Sequence, residues 1–366
     1  MAELKNRWQR LNELSPEVRN QGFGSWPHTS LFTDDDIIPG SNHFFAFWVT
    51  ELPRPAHGPH THDDDELLVF LGSDPDNIHD LGCEVEISMG PEMEKHTFSE
   101  STLVYIPAGL VHCPIRFRNM KRPFLMIQAV KAGKLTERPR PDLVPEAERG
   151  RMVFFDFDGR QTDADFQQAY AQIQEATKAC KANPDDTPLA EPKAAGTKYG
   201  KNFTHNFTAA QKQYKFGRLP ATVIYTDDDT MPGCHQFWAL WIHSLPWPFH
   251  GPHNHQDPES MVIIGADWND PADAGLTTED YMGMEMEKYV TDKSNLIFMP
   301  GGFVHGPIQY RDLTRPFIMV QCHYAPKLTE KSFKHLAPPE YKGKMVNFDL
   351  KGTEGQDELD KARQYT

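Results

Sequence analysis

No stretch of the 366 residues is apolar for the length that a membrane span needs. No CxxC pair occurs either: the five cysteines, Cys83, Cys113, Cys180, Cys234 and Cys322, are odd in number and widely spaced. That pattern indicates neither a disulfide framework nor a zinc ribbon, and reduced thiols are the expected state. Positive charge is also short. Against 52 Asp and Glu stand 37 Lys and Arg, a formal net charge of −15, which argues against nucleic acid or an anionic membrane surface as partner. Residues 1–7 lack the apolar stretch and small-residue cleavage site of a secretory signal, so a cytoplasmic location is expected. What remains, 39% hydrophobic and 24% charged residues, is the composition of a globular protein long enough for two domains.

The chain is one unit written twice. An offset of 193 residues brings Phe23-Gly24 onto Phe216-Gly217, Asp34-Asp35-Asp36 onto Asp227-Asp228-Asp229, and His57-Gly58-Pro59-His60 onto His250-Gly251-Pro252-His253. The same offset holds for Arg122-Pro123-Phe124 on Arg315-Pro316-Phe317 and for Lys134-Leu135-Thr136-Glu137 on Lys327-Leu328-Thr329-Glu330. A constant offset over that span means two copies of one fold. Between the copies, Asp163–Ala182 reads as a helix and 184–200 as linker, rich in Pro, Ala and Gly without periodicity. The expected division is a first barrel with flanking helices in 1–183, the linker 184–200, and a second barrel with a C-terminal helix in 201–366. A short helix near 3–14 is expected as well. Inside each copy, short apolar runs such as 44–49, 103–106, 125–130 and their counterparts are bounded by turn residues. That pattern reads as strands of a sandwich or closed barrel.

Two sets of metal-ligating residues stand at the same internal spacing. His60, His62 and Glu66 form H-x-H-x3-E, and His112 follows Glu66 by 46 residues at the end of a Pro-Ala-Gly-Leu-Val run. His253, His255, Glu259 and His305 repeat the arrangement. Alternate residues of a strand share a face, so each H-x-H can point both imidazoles inward. Three imidazoles and a carboxylate suit a divalent transition metal, one per barrel, and Fe, Mn, Zn, Ni and Cu all fit that donor set.

HGPHTHDDDE with Gly72 and IPAGLVH resemble the two motifs of the cupin superfamily, and HGPHNHQDPE with Gly265 and MPGGFVH do the same in the second half. The resemblance, to a tandem two-domain bicupin, covers roughly 44–130 and 237–324. It implies an all-β fold of two tandem cupin-type jelly-roll β-barrels with short flanking helices. One position departs from the pattern: the fourth residue after the last histidine, commonly Asn, is Arg116 in one copy and Gln309 in the other.

Strand alternation from His112 puts Pro114 and Arg116 on the ligand face and turns Cys113 away. Arg116 either holds a substrate carboxylate or pairs with a structural acid. Gln128 and Gln321 interrupt apolar strands at matching places, where a buried amide needs partners. They are candidates for contact with a ligand or for fixing barrel shape. His323 shares the face of Gln321 but its counterpart is Val130, which makes it a candidate acid or base. His57 and His250 are candidates for support of the metal site or for simple turn packing. The aromatic runs Phe44, Phe45, Phe47, Trp48 and Phe237, Trp238, Trp241 read as core and inter-barrel contact ahead of a substrate lining. Asp63-Asp64-Asp65 and Asp34-Asp35-Asp36 read as solvated turns.

The expected function is metal-dependent oxidation of the dioxygenase type on a small organic substrate, carboxylate or aromatic. The rival readings are a Mn-dependent decarboxylase or lyase, and a non-enzymatic binding or storage protein. The expected partner is a small molecule, with a homodimer as the commonest oligomer. Two occupied metals with unequal surroundings are expected, one catalytic and one structural.

Overall fold

The apolar runs form strands that assemble, in the computed structural model, into two six-stranded antiparallel sheets per copy. The structure describes residues 11–13, 29–52, 56–182, 188–191, 197–205, 222–245, 249–353 and 364–365. In the first copy one sheet runs in the order Phe203–His205, Thr102–Ile106, Glu66–Gly72, Phe124–Val130, His43–Val49, Thr29–Thr33. The other runs Phe157–Asp158, Thr136–Pro139, His60–Thr61, His112–Arg118, Asp80–Met89, Glu94–Glu100. The second copy repeats both sheets strand for strand. Two such sheets packed face to face are a cupin-type jelly roll, so the fold is a tandem of two of them.

The central strands explain the composition. Glu66–Gly72 is buried along its whole length, as is Glu259–Gly265, so both read as continuous apolar runs behind a single acid. Each ends in a glycine because a Cβ at Gly72 would run into the Asp80 carbonyl oxygen, and one at Gly265 into that of Asp273. Side chains between the first copy's sheets form one apolar cluster that includes Phe45, Phe47, Phe70, Val85, Ile87 and Phe117. Phe44 and Trp48, on the other face of the same strand, are fully buried too. Asp163–Ala182 is helical as expected, and Ala169, Ile173 and Ala176, one stripe at helical spacing, pack with Leu135, Val153 and Phe155.

The compact units are 14–206 for the first barrel and 1–13 with 207–366 for the second. They differ from the division drawn at 184–200 because a strand changes barrel at each end of a copy. Phe203–His205 extends the first barrel's sheet along Thr102–Ile106, and Leu11–Glu13 extends the second barrel's along Asn295–Met299. Residues 11–13 are therefore strand where a helix over 3–14 is expected; 3–10 and 14 lie outside the described residues. The C-terminal helix expected from 357 falls on residues outside them as well, and Gln364–Tyr365 is a strand beside Met345–Asn347. Phe23-Gly24 and Phe216-Gly217 also lie outside. Among the described residues, no helix is long and apolar enough to cross a membrane.

Candidate metal centres

The two ligand sets meet between their sheets. His60 and His112 are directly paired on adjacent strands, and Glu66 enters from the opposite sheet at the head of Glu66–Gly72. Ring centroids lie 4.8 Å apart for His60–His62, 4.2 Å for His60–His112 and 5.0 Å for His62–His112. In the second barrel the corresponding distances are 4.8, 4.3 and 5.2 Å. Glu66 Oε2 stands 3.3 Å from His62 Nε2 and 3.0 Å from His112 Nε2; Glu259 Oε2 stands 3.2 Å from both His255 Nε2 and His305 Nε2. All eight residues are buried.

Local hydrogen bonds fix which ring nitrogen faces inward. His60 Nδ1 meets the Gly58 carbonyl at 2.8 Å, His112 Nδ1 that of Leu110 at 3.2 Å, and His62 Nδ1 that of Thr136. His253, His255 and His305 repeat this with Gly251, Thr329 and Phe303. With Nδ1 so placed, Nε2 is left as the free lone pair. Nε2 of His62, His112, His255 and His305, with Oε2 of Glu66 and Glu259, are buried without a hydrogen-bond partner among the described residues. Orphaned donors converging from both sheets fit a divalent metal. Burial pushes His60 and His253 well below the ordinary imidazole range, which keeps them neutral as ligands must be. Burial also opposes charge on His62, but the Glu66 carboxylate outweighs it and raises His62 to about 9.

A second layer holds the ligands. Gln128 Nε2 donates to Glu66 Oε1 at 2.5 Å and Gln321 Nε2 to Glu259 Oε1 at 3.2 Å, so each amide occupies one carboxylate oxygen and leaves the other to the histidines. His57 stacks on His60 with centroids 4.2 Å apart and hydrogen-bonds Glu137 Oε1 at 2.8 Å; His250 stacks on His253 at 4.0 Å and reaches Glu330 Oε1 at 2.7 Å. Glu137 and Glu330 were visible only as repeat markers. Their motif in fact works three times over: the Thr136 carbonyl takes the His62 ring, its hydroxyl takes the Asp63 amide, and Glu137 takes His57. The acidic turns are local scaffolding: Asp34 Oδ1 accepts the Asp36 and Ile37 amides, and Asp65 accepts that of Ala108.

Two expectations from strand alternation are corrected. His112 pairs with Met89 and Ile115 with Ile87, three steps on one strand against two on its neighbour. This bulge inserts one residue and reverses the alternation beyond it. Arg116 therefore lies on the outer face, bonded to Glu86 Oε1 at 3.3 Å and Glu148 Oε2 at 3.2 Å, while Ile115 and Phe117 face the core. Gln309, buried on the equivalent strand, accepts from Arg311 at 3.3 Å. Cys113, conversely, turns inward. It sits in the core cluster at φ 71°, with its thiol within 4.8 Å of donor atoms of His60 and His112. The second barrel has Gly306 there at φ 79°, where a Cβ would stand 3.5 Å from the His253 ring. A cysteine in that left-handed region costs roughly 1–2 kcal/mol that a glycine does not.

The fourth imidazole of each barrel comes from opposite partners of one strand pair. In the second barrel His323 Nε2 lies 3.4 Å from Glu259 Oε1 and edge-on to His255 at 4.4 Å. In the first, Val130 stands at that place and its cross-strand partner is His43, which reaches Gln128 Oε1 at 3.3 Å. His43 escaped the sequence reading because its repeat counterpart is Gln236, and matched positions were what the repeat made visible. Burial pushes His43 to about 4 and His323 to about 3, so both are neutral rings near neutral pH.

No family model matches the chain, and no curated protein matches it. Solved structures do. An arginine-to-alanine variant of the Bacillus subtilis oxalate decarboxylase superposes with a TM-score of 0.49 at 12% identity, covering 84% of this chain and 78% of that one. The oxalate decarboxylase from Bacillus subtilis at pH 4.6 gives 0.49 at 10%, covering 84% and 77%. A tryptophan variant of the enzyme gives 0.48 at 11%, covering 84% and 78%.

Proposed function

We propose that the protein is a metal-dependent enzyme acting on a small organic molecule held at a metal ion within a cupin barrel. The observation that carries this reading is the pair of buried His3Glu sets, in each of which two imidazole nitrogens and one carboxylate oxygen have no hydrogen-bond partner among the described residues. A divalent ion there would polarise a chelated substrate as a Lewis acid, or exchange electrons with it if the ion is redox-active. His60, His62, Glu66 and His112 would hold one ion, and His253, His255, Glu259 and His305 the other. Four protein ligands leave two positions of an octahedron for substrate. Gln128 and Gln321 orient the carboxylate ligands, and Glu137 and Glu330 orient the histidines stacked on the first imidazole of each set.

Two reactions suit this donor set. Decarboxylation is the activity named for the neighbouring solved structures, with manganese as the metal we favour for it. Oxygen-dependent cleavage of an unsaturated substrate uses the same open positions. The outward turn of Arg116 removes the one side chain that marked the first barrel for an anionic substrate. The experiment that separates the reactions is loading of metal-free protein with Mn(II) or Fe(II), followed by a panel of small carboxylates, diketones and phenols with and without air. Carbon dioxide release without oxygen uptake establishes decarboxylation; oxygen uptake with incorporation of its atoms into the product establishes the dioxygenase reading. Metal-loaded protein that turns over nothing, and whose thermal stability collapses on chelation, establishes a binding or storage role instead.

A further inference from the structure

The strand beside the last ligand histidine carries an inward row of three side chains in each barrel. In the first barrel the row is Val85, Ile87 and Met89, all within one continuous apolar cluster that also holds Phe98 and Phe117. In the second the same places are Thr278, Asp280 and Met282, with Thr291 for Phe98 and Tyr310 for Phe117. The apolar side chains there fall into two clusters bridged by Ile308, the cross-strand partner of Asp280. Met261, Met282, Tyr289 and Met299 form one cluster, and Trp238, Tyr310, Phe317 and Met319 belong to another.

Asp280 belongs to neither cluster. It is 1% exposed, and neither carboxyl oxygen has a well-formed hydrogen bond among the described residues; the Thr278 hydroxyl, two places back on the same row, is the donor that eases its charge, and it does not offset the burial. The Tyr310 hydroxyl donates to Met319 Sδ at 2.9 Å instead. A buried carboxyl whose bonding is left this incomplete is costly to hold, and such groups mark sites where a ligand supplies what is missing. Met282 pairs across the strands with His305, and Asp280 lies two residues farther along the same inward row, roughly 7 Å at the rise of a strand. That separation is spanned by a small molecule with one end at the metal donors.

We infer that Asp280 is the polar anchor of a small-molecule site in the second barrel, bonding a hydroxyl or amine at the far end of a ligand whose near end reaches His253, His255, Glu259 and His305. The inference rests on the proposed metal role of those four residues. It makes the second barrel the one that recognises a functionalised molecule, because Ile87 offers nothing equivalent in the first. Burial holds the Asp280 carboxyl in its acid form up to about 7, so it can donate to a ligand oxygen as well as accept from a hydroxyl.

The test compares hydracrylate, a three-carbon acid with a terminal hydroxyl, with propionate, on the Mn(II)-loaded full chain. Affinity is read from the perturbation of the Mn(II) resonance, with metal content measured on every sample. Wild-type protein is expected to bind hydracrylate at least about tenfold more tightly than propionate. Asp280→Ile, which copies the first barrel, should erase the preference with metal content unchanged; Asp280→Asn should keep part of it and shows that any loss in the isoleucine variant is not misfolding. Equal affinity for the two acids in the wild type, binding of neither, or an undiminished preference in Asp280→Ile overturns the inference. Failure of the second barrel to take up metal at all would sink the metal reading itself, a result distinct from full metal without preference.

Discussion

The two barrels carry the same four ligand residue types and the same supporting amide, histidine and acid, and differ in the row of side chains beyond them. The first has one continuous apolar cluster between its sheets, a cysteine against the metal donors and a histidine that reaches the ligand glutamate through Gln128. The second has two apolar clusters bridged by Ile308, a buried acid, a glycine in place of the cysteine, and a histidine facing the glutamate directly. The copies thus hold matching ligand sets in unequal interiors, one lined by a continuous apolar cluster, the other by Thr278, Asp280, Thr291 and Tyr310. On the proposed reading, metal holding is a property of the repeat, whereas recognition is a property of one copy.

The largest expected effect comes from breaking each ligand set in turn. Glu66→Gln and Glu259→Gln should each lower metal content by one ion per chain, read by elemental analysis. If the comparison holds, only the second should abolish turnover, by a factor on the order of a thousand or more. Equal loss from both would show that the barrels work alike despite their interiors.

Next comes the cost of Asp280. Its folded value, about 7, lies above the unfolded value of about 3.9. Between those values the folded chain holds a proton that the unfolded chain gives up, so this group's contribution falls as pH rises from about 4 to 7 and is least favourable above 7. Asp280→Ile should therefore gain on the order of 3 kcal/mol more at pH 8 than at pH 4. Denaturant melts at both pH values check this, and Ile87→Val in the first barrel should show no such slope.

A smaller effect is expected from the acids that steady the stacked histidines. Glu137→Gln and Glu330→Gln should each weaken metal affinity by about 10–100-fold in their own barrel, measured by competition with a chelator. Similar losses in both would confirm that support of the metal, like the ligands, is common to the two copies.

The repeat made the ligands, the helix Asp163–Ala182 and the all-β architecture legible in the sequence, because those features depend on spacing and periodicity. It hid what repeats do not preserve. His43 stands across a strand pair from the place where the other copy keeps its histidine, and Asp280 looks like any acid on a polar strand until its face is known. Arg116 and Cys113 were misplaced for another reason. Simple alternation is right until one extra residue enters the strand, and the bulge after His112 follows two residues that no period-two reading distinguishes from their neighbours.

Arg116 therefore carries the smallest expected effect, and it is the cleanest check on the corrected geometry. Glu86, fully buried on the outer face, accepts Arg116 at 3.3 Å, Lys95 at 3.2 Å and the Ala190 amide at 2.6 Å, so among the described residues the arginine shares this structural acid with two other donors. Arg116→Ala leaves the other two in place. It should cost no more than about 1 kcal/mol in a denaturant melt and change KM for any substrate by less than about twofold. A large rise in KM for anionic substrates alone would return Arg116 to the substrate and the first barrel to contention as the working site.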